Sequence, residues 1–353
     1  MHSSSQPPKL ADAHLVHYLK FALWVVFLVL PLLLLDGSLP PYWGQTSWTQ
    51  KVARLDEIDW KPNRLFLGTS ITYMQVDPST IDRVIGDNLG SFNLGATDAE
   101  VVEMIGFAKW IIRQPQAAGK TLMLEVRPWD PISKRPTRQE KKYFYRPDNW
   151  RLTQSLIGQT AETNFWEKTR QSAYHNAGYL QSYFRAGLLR QSVKFHWIKD
   201  RYTNRFIGAG LDGFVPLDLA TLDDYATNVG ARESHEFYHS DTTVFDALRS
   251  NGLPIREEWN PVNEAYRDEL LALFTYAEMN GVRLMLLIPP RLPRAAYRDL
   301  LPLAYSFPPT RVVQLADPAE FPEFYETRYS FDQIHLNAEG AGLFSDRLGS
   351  LLR

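Results

Sequence analysis

Five short apolar runs constrain the fold of this chain more than any other feature. They lie at residues 64–68 (RLFLG), 91–94 (SFNL), 121–126 (TLMLEV), 282–288 (VRLMLLI) and 312–316 (VVQLA). None shows the strict alternation of a half-exposed strand, and each is too short for a buried helix. Runs of this kind suit parallel strands covered on both faces. Helical patterns lie between them at 78–85, 98–113, 261–280 and 338–352, the third closing on Asn280-Gly281 directly before the fourth run. Strand–helix alternation predicts a doubly wound α/β fold around a five-stranded parallel sheet.

The alternation fails over residues 131–259, an interval too long for one crossover. Its first part, residues 134–205, holds 15 Lys and Arg against 5 Asp and Glu. Aromatic residues are interleaved there, among them Tyr143, Phe144, Tyr145, Trp150, Phe165, Trp166, Tyr179, Phe195 and Trp197. The whole chain, with 38 Lys+Arg and 40 Asp+Glu, carries a formal charge of only -2, so the basic excess is segregated. The segment reads as a basic, aromatic-rich helical insertion or cap over the carboxyl ends of the strands. It interrupts an α/β domain made of residues 60–130 and 260–353. The balanced total argues against nucleic acid as a partner. The absence of cysteine excludes thiol catalysis, cysteine-based zinc sites, iron–sulfur ligation and disulfides.

Residues 21–35 (FALWVVFLVLPLLLL) are apolar without a break. Counted back to Leu15, the run lies between a signal-peptide core and a full membrane span. Asp36-Gly37-Ser38-Leu39-Pro40-Pro41 follows and offers no small-x-small cleavage site. The expectation is an uncleaved transmembrane anchor over residues 15–36, after a cytoplasmic tail (1–14) and before a linker (37–59). The alternatives are a cleaved signal or a buried core helix, although the run is apolar on every side, as lipid demands. Lys9 and Lys20 precede it and the next basic residue is Lys51. The positive-inside rule therefore places the remainder outside the cytoplasm.

Two motifs could carry chemistry. Gly68-Thr69-Ser70 follows the first strand, where α/β sheets place ligands, though Ser70 could equally be a helix cap or turn residue. Asp332-Gln333-Ile334-His335 precedes the last helix. Its carboxylate and imidazole, three residues apart, can converge as an oriented general base, or serve only as a surface pair capping that helix.

Together the two motifs resemble the first and last sequence blocks of the SGNH (GDSL-type) hydrolase superfamily, and Phe92-Asn93-Leu94-Gly95 partly matches its second block. The resemblance covers about residues 60–130 and 260–353, and 329–344 (YSFDQIHLNAEGAGLF) is its most specific stretch. It implies a three-layer α/β/α fold in which Ser70 is the nucleophile, His335 the base and Asp332 its orienter. Thr69 stands where the family usually has Asp. Asp98 takes the place of a glycine whose N–H serves the oxyanion, with Gly95 as the other backbone candidate. The third-block asparagine is missing near Glu125-Val126-Arg127, where Arg127 could act as an oxyanion or substrate-charge donor or simply pair with Glu125.

With the anchor, these departures resemble the membrane-anchored branch that serves envelope polysaccharide O-acylation, as in alginate O-acetylation and teichoic acid D-alanylation. The resemblance implies an O-acyltransferase or esterase at the outer face of the bacterial inner membrane. It would form an acyl-serine and act on a glycan, with a membrane-bound O-acyltransferase partner supplying acyl groups. Arg and Lys of the insertion suit an acidic glycan and its aromatics suit sugar faces; equally, they suit lipid headgroups and an internal core.

His235-Glu236-Phe237-Tyr238-His239 matches H-E-x-x-H, the helix of zinc metallopeptidases. A zinc peptidase is one alternative to acyl transfer, and a non-catalytic glycan-binding subunit is another. Apolar periodicity is missing on both flanks of the motif, so it reads as a decoy and no metal is expected. Ala118-Gly119-Lys120-Thr121 mimics the end of a P-loop, but Gln114 replaces the first glycine and a strand follows, so no cofactor is implied.

Overall fold

The computed structural model describes residues 10–38, 46–129, 147–160, 164–183, 204–219, 231–250 and 252–353. Five strands, β1 (Arg64–Leu67), β2 (Ser91–Asn93), β3 (Thr121–Glu125), β4 (Arg283–Ile288) and β5 (Val312–Gln314), form one parallel sheet in the order β2-β1-β3-β4-β5. In chain order the helices are α1 (Leu10–Ser38), α2 (Thr46–Glu57), α3 (Ser70–Gln75), α4 (Pro78–Ile85), α5 (Val101–Arg113), α6 (Pro147–Gln159) and α7 (Phe165–Tyr183). They continue with α8 (Asn204–Ile207), α9 (Ala231–Ser240), α10 (Thr243–Ser250), α11 (Glu264–Met279), α12 (Arg294–Ala304) and α13 (Ala338–Leu352).

Both faces of the sheet are covered, which is why its strands do not alternate apolar with polar. Leu65, Leu67, Leu122, Leu124, Leu284, Leu286 and Ile288 pack into one core with α2, α5, α6, α11 and α12. Phe66, Met123, Met285 and Leu287 point the other way, into a second core with α4 and α13. The chain thus builds helices on both sides of a five-stranded parallel sheet. Helices α4 and α13 keep their expected bounds because polar caps fix them. Asp77 accepts from Ser79 N–H and Asn337 from Gly340 N–H, while Gly86 ends α4 at φ 73°. Helix α11 starts at Glu264, not residue 261, because Asn263 caps it.

Two expectations need revision. Part of the expected linker is helix α2, whose Trp48, Val52 and Leu55 share one buried face; Trp48 stacks on Phe107 at 4.6 Å. Nor is all of the insertion a cap over the strand ends. Helix α6 lies beside α5 and α11 and buries Leu152 and Leu156 in the first core, so it widens a helical layer. Its partner α7 packs on it, Trp150 donating to Asn176 Oδ1 at 2.7 Å. Another piece runs against the edge strand: Asn93 N–H donates to Asp212 O at 2.8 Å, and Val215 N–H to Tyr73 O at 3.3 Å. Gly213 is required there, since a Cβ would stand 1.9 Å from Asn93 O. Insertion residues 131–146, 161–163, 184–203, 220–230 and 251, with Tyr143, Phe144, Tyr145, Phe195 and Trp197, lie outside the described residues.

Helix α1 is 29 residues long, with Pro31 inside it. Its described side chains, at residues 15–28, 30, 31 and 34, are all exposed. Among the described residues no helix is long and apolar enough to cross a membrane. Several side chains of the apolar run lie outside that set, as do residues 1–9 and 39–45.

Candidate active site

Strand order reverses between β1 and β3, and the chain leaving β1 there carries Ser70. Ligands bind at such switch points because neighbouring loops part to opposite faces of the sheet. Thr69 caps the six-residue helix α3, its hydroxyl accepting from Ile71 N–H, and Ser70 follows as the first helical residue.

This turn is built around one buried acid. Glu125, at the end of β3, accepts from Thr69 N–H (3.0 Å), Thr69 O–H (2.7 Å), Thr72 N–H (3.1 Å) and Thr72 O–H (2.7 Å). A helix start exposes N–H groups that need acceptors, and a carboxylate meets two of them here. Gly68 leaves room for the contact, since its Cβ would stand 2.4 Å from Glu125 Oε2. Among the described residues, the Ser70 N–H is left without an acceptor.

His335 Nε2 lies 2.8 Å from Ser70 Oγ, and its Nδ1 lies 2.9 Å from Asp332 Oδ2. Asp332 Oδ1 also accepts from the N–H groups of Ile334 (2.8 Å) and His335 (2.7 Å), so the loop turns around its own carboxylate. Burial alone would raise the Asp332 pKa. The His335 charge and these hydrogen bonds outweigh it and hold the carboxyl at about 2. Ser70, His335 and Asp332 therefore form one hydrogen-bonded chain, with Nε2 placed to take a proton from the serine.

The other site residues read from the sequence fall around this chain in different ways. Gly95 does not offer a free N–H, because it donates to Asn93 Oδ1 at 2.8 Å. Asn93 Nδ2 in turn donates to the carbonyls of Thr72 (2.7 Å) and Val76 (2.7 Å). The Asn-x-Gly pair thus fastens the β2 loop to α3, where a Cβ on Gly95 would stand 2.3 Å from Tyr73 N. Asp98 is exposed, at φ 56°. Arg127 lies 3.8 Å from Glu125 Oε1, and among the described residues its buried Nη1 has no hydrogen-bond partner. His235 Nδ1 and His239 Nε2 meet the carbonyls of Phe331 (2.9 Å) and Ser330 (3.0 Å), and their rings stack at 4.0 Å. Glu236, between them, is exposed. Among the described residues no three His, Cys, Asp or Glu side chains gather as a metal would require.

Two buried cations escaped the sequence reading. Lys51 of α2 donates to Gly95 O at 2.6 Å and lies over the Tyr73 ring. Burial pushes its ammonium well below the usual lysine range, against the pull of Asp212. Asp212 itself is raised to about 6 by burial. Arg291, at φ 65° after β4, is fully buried and donates to Ser330 Oγ (2.7 Å) and the carbonyls of Gln333 (3.3 Å) and Asp332. Burial lowers its pKa to about 10, partly offset by Asp332. Neither has a motif to announce it. Glu125 left a trace, as the one acid ending an otherwise apolar buried run.

No protein-family model matches this chain, and no curated protein matches it either.

Proposed function

We propose that the chain is a serine O-acyltransferase or esterase of SGNH type, held at the outer face of a bacterial cytoplasmic membrane by residues 15–36. The Ser70–His335–Asp332 chain, with Ser70 Oγ 2.8 Å from His335 Nε2, carries this reading. His335 takes the Ser70 proton as Oγ bonds to the acyl carbon, and returns it to the leaving oxygen as that C–O bond breaks. A second hydroxyl, deprotonated in turn by His335, bonds to the acyl carbon as the Ser70 Oγ–C bond breaks, and His335 returns the proton to Oγ; water gives hydrolysis and a sugar hydroxyl gives transfer. The oxyanion of each step would be met by the Ser70 N–H, with the part-exposed Arg127, beside Glu125, as the second candidate donor.

The exposed apolar side chains of α1 support the anchor. The basic, aromatic composition of residues 134–205 supports an acidic envelope or exported glycan as substrate. The resemblance to the O-acylation branch implies a membrane-bound O-acyltransferase as the acyl-supplying partner. The test is mass spectrometry of the full chain after incubation with an activated acetyl ester. We expect an adduct on Ser70, absent in Ser70→Ala, and ester turnover reduced about a thousandfold or more in Ser70→Ala and His335→Ala. Wild-type turnover in both variants would refute the assignment, and glycan binding without any adduct would mark a non-catalytic subunit.

A further inference from the structure

The loop that carries Asp332 and His335 exposes a run of backbone carbonyls, and each has a donor. His239 donates to Ser330 O, His235 to Phe331 O, Arg291 to Asp332 O and Gln333 O, and Gln75 to Ile334 O. His335 O accepts from the Phe331 and Asp332 N–H groups. Buried carbonyls need donors, and a loop without a ladder must take them from side chains. Gln75 closes the same short helix that begins with Ser70, so one grip ties base and nucleophile together. The other two come from outside the core of the fold: His235 and His239 belong to α9, inside the insertion. One turn apart on that helix, they reach two successive carbonyls. Tyr238 adds a hydrogen bond to Gln333 Oε1 at 3.1 Å. Phe245 of α10 packs beside His239 and covers Arg291.

We infer that His235 and His239 are positioning residues for the Ser70–His335–Asp332 site, the insertion holding the base in place through the backbone of its loop. The inference rests on the acyl-serine reading for its meaning, but not for its geometry. The H-E-x-x-H spacing is then used for two parallel N–H donors rather than two metal ligands. Each imidazole needs one N–H for its carbonyl, on Nδ1 of His235 and on Nε2 of His239. Burial keeps His239 below the usual histidine range, with the adjacent His235 and Arg291 charges acting in the same direction.

The amide nitrogen of Asn reproduces Nδ1 and that of Gln reproduces Nε2, which separates donor from bulk. In the full-length chain, His235→Asn/His239→Gln keeps both donors, whereas His235→Leu/His239→Met removes them. The first readout is the far-downfield proton resonance of the His335–Asp332 hydrogen bond. It should survive in the Asn/Gln variant and be lost or displaced in the Leu/Met variant. The second is the rate of Ser70 labelling by a fluorophosphonate, resolved into limiting rate and reagent affinity. We expect the limiting rate to fall about 10–100-fold in Leu/Met with affinity unchanged, and to stay within about threefold in Asn/Gln. An unchanged resonance and rate in Leu/Met overturns the inference, as does an Asn/Gln variant that loses both. If the wild type fails to label at all, the acyl-serine reading falls, and the proton resonance still decides whether α9 holds the loop.

Discussion

The turn that carries Ser70 and the loop that carries His335 solve opposite problems. A helix start presents N–H groups, so the Ser70 turn is gathered around an acceptor, the buried Glu125 carboxylate. An irregular loop presents carbonyls, so the His335 loop is gathered by donors, Arg291, His235, His239 and Gln75. The first device is local to the sheet, because β1 and β3 are paired neighbours and Glu125 ends the strand beside the one Ser70 follows. The second draws on three separate pieces of chain, one of them in the insertion. Ser70 can thus be set by the fold's own register, whereas His335 needs long-range packing.

If this contrast holds, the largest stability loss belongs to the acceptor. Glu125→Ala removes one group that serves four donors, and we expect it to cost about 4 kcal/mol in denaturant unfolding. A loss under about 1 kcal/mol would show that the threonines find other partners and that the turn does not depend on its acid. Arg291→Met strands carbonyls but also removes a buried charge, so it should cost less, about 3 kcal/mol, with labelling of Ser70 slowed. A cost above that of Glu125→Ala would reverse the comparison.

The smallest effect is a pH dependence on the base side. The Asp332 carboxyl is held at about 2 against an ordinary 3.8. A lowered acid pKa stabilises the folded state above the unfolded value and loses that contribution as pH falls through the folded one. Relative to Asp332→Asn, the wild type should gain on the order of 2 kcal/mol above about pH 5, shrinking toward zero near pH 2. A difference independent of pH across that window would mean that Asp332 acts by shape and not by charge.

Much of the site was legible in the chain. Ser70, Asp332 and His335 stand in blocks whose residues are adjacent in sequence, and the resemblance of those blocks to a known family made them visible; the caps Thr69 and Asn337 only fix where α3 and α13 begin. Gly95 was placed in the correct loop, but its N–H turned out to be committed to Asn93. That commitment depends on a side-chain rotamer, which a pattern of residue types does not encode. Lys51 and Arg291 were invisible for a different reason. A charged residue is usually solvated, and nothing in its neighbours along the chain reveals that packing has buried it beside a distant carbonyl.

The sequence by itself determined the five strands and the helices α4, α5, α11 and α13, which follow from periodicity and caps acting over a few residues. The three residues whose side chains meet at the switch point were picked out by the resemblance of their two motifs to known sequence blocks. Only the tertiary structure decided which buried charges hold the site. It also decided that α2 and α6 belong to the helical layer, and that an apparent metal motif grips a loop. Burial and hydrogen-bond partnership are set by chain segments brought together from far apart, and the free energy of a polar group depends on those partners more than on its own identity.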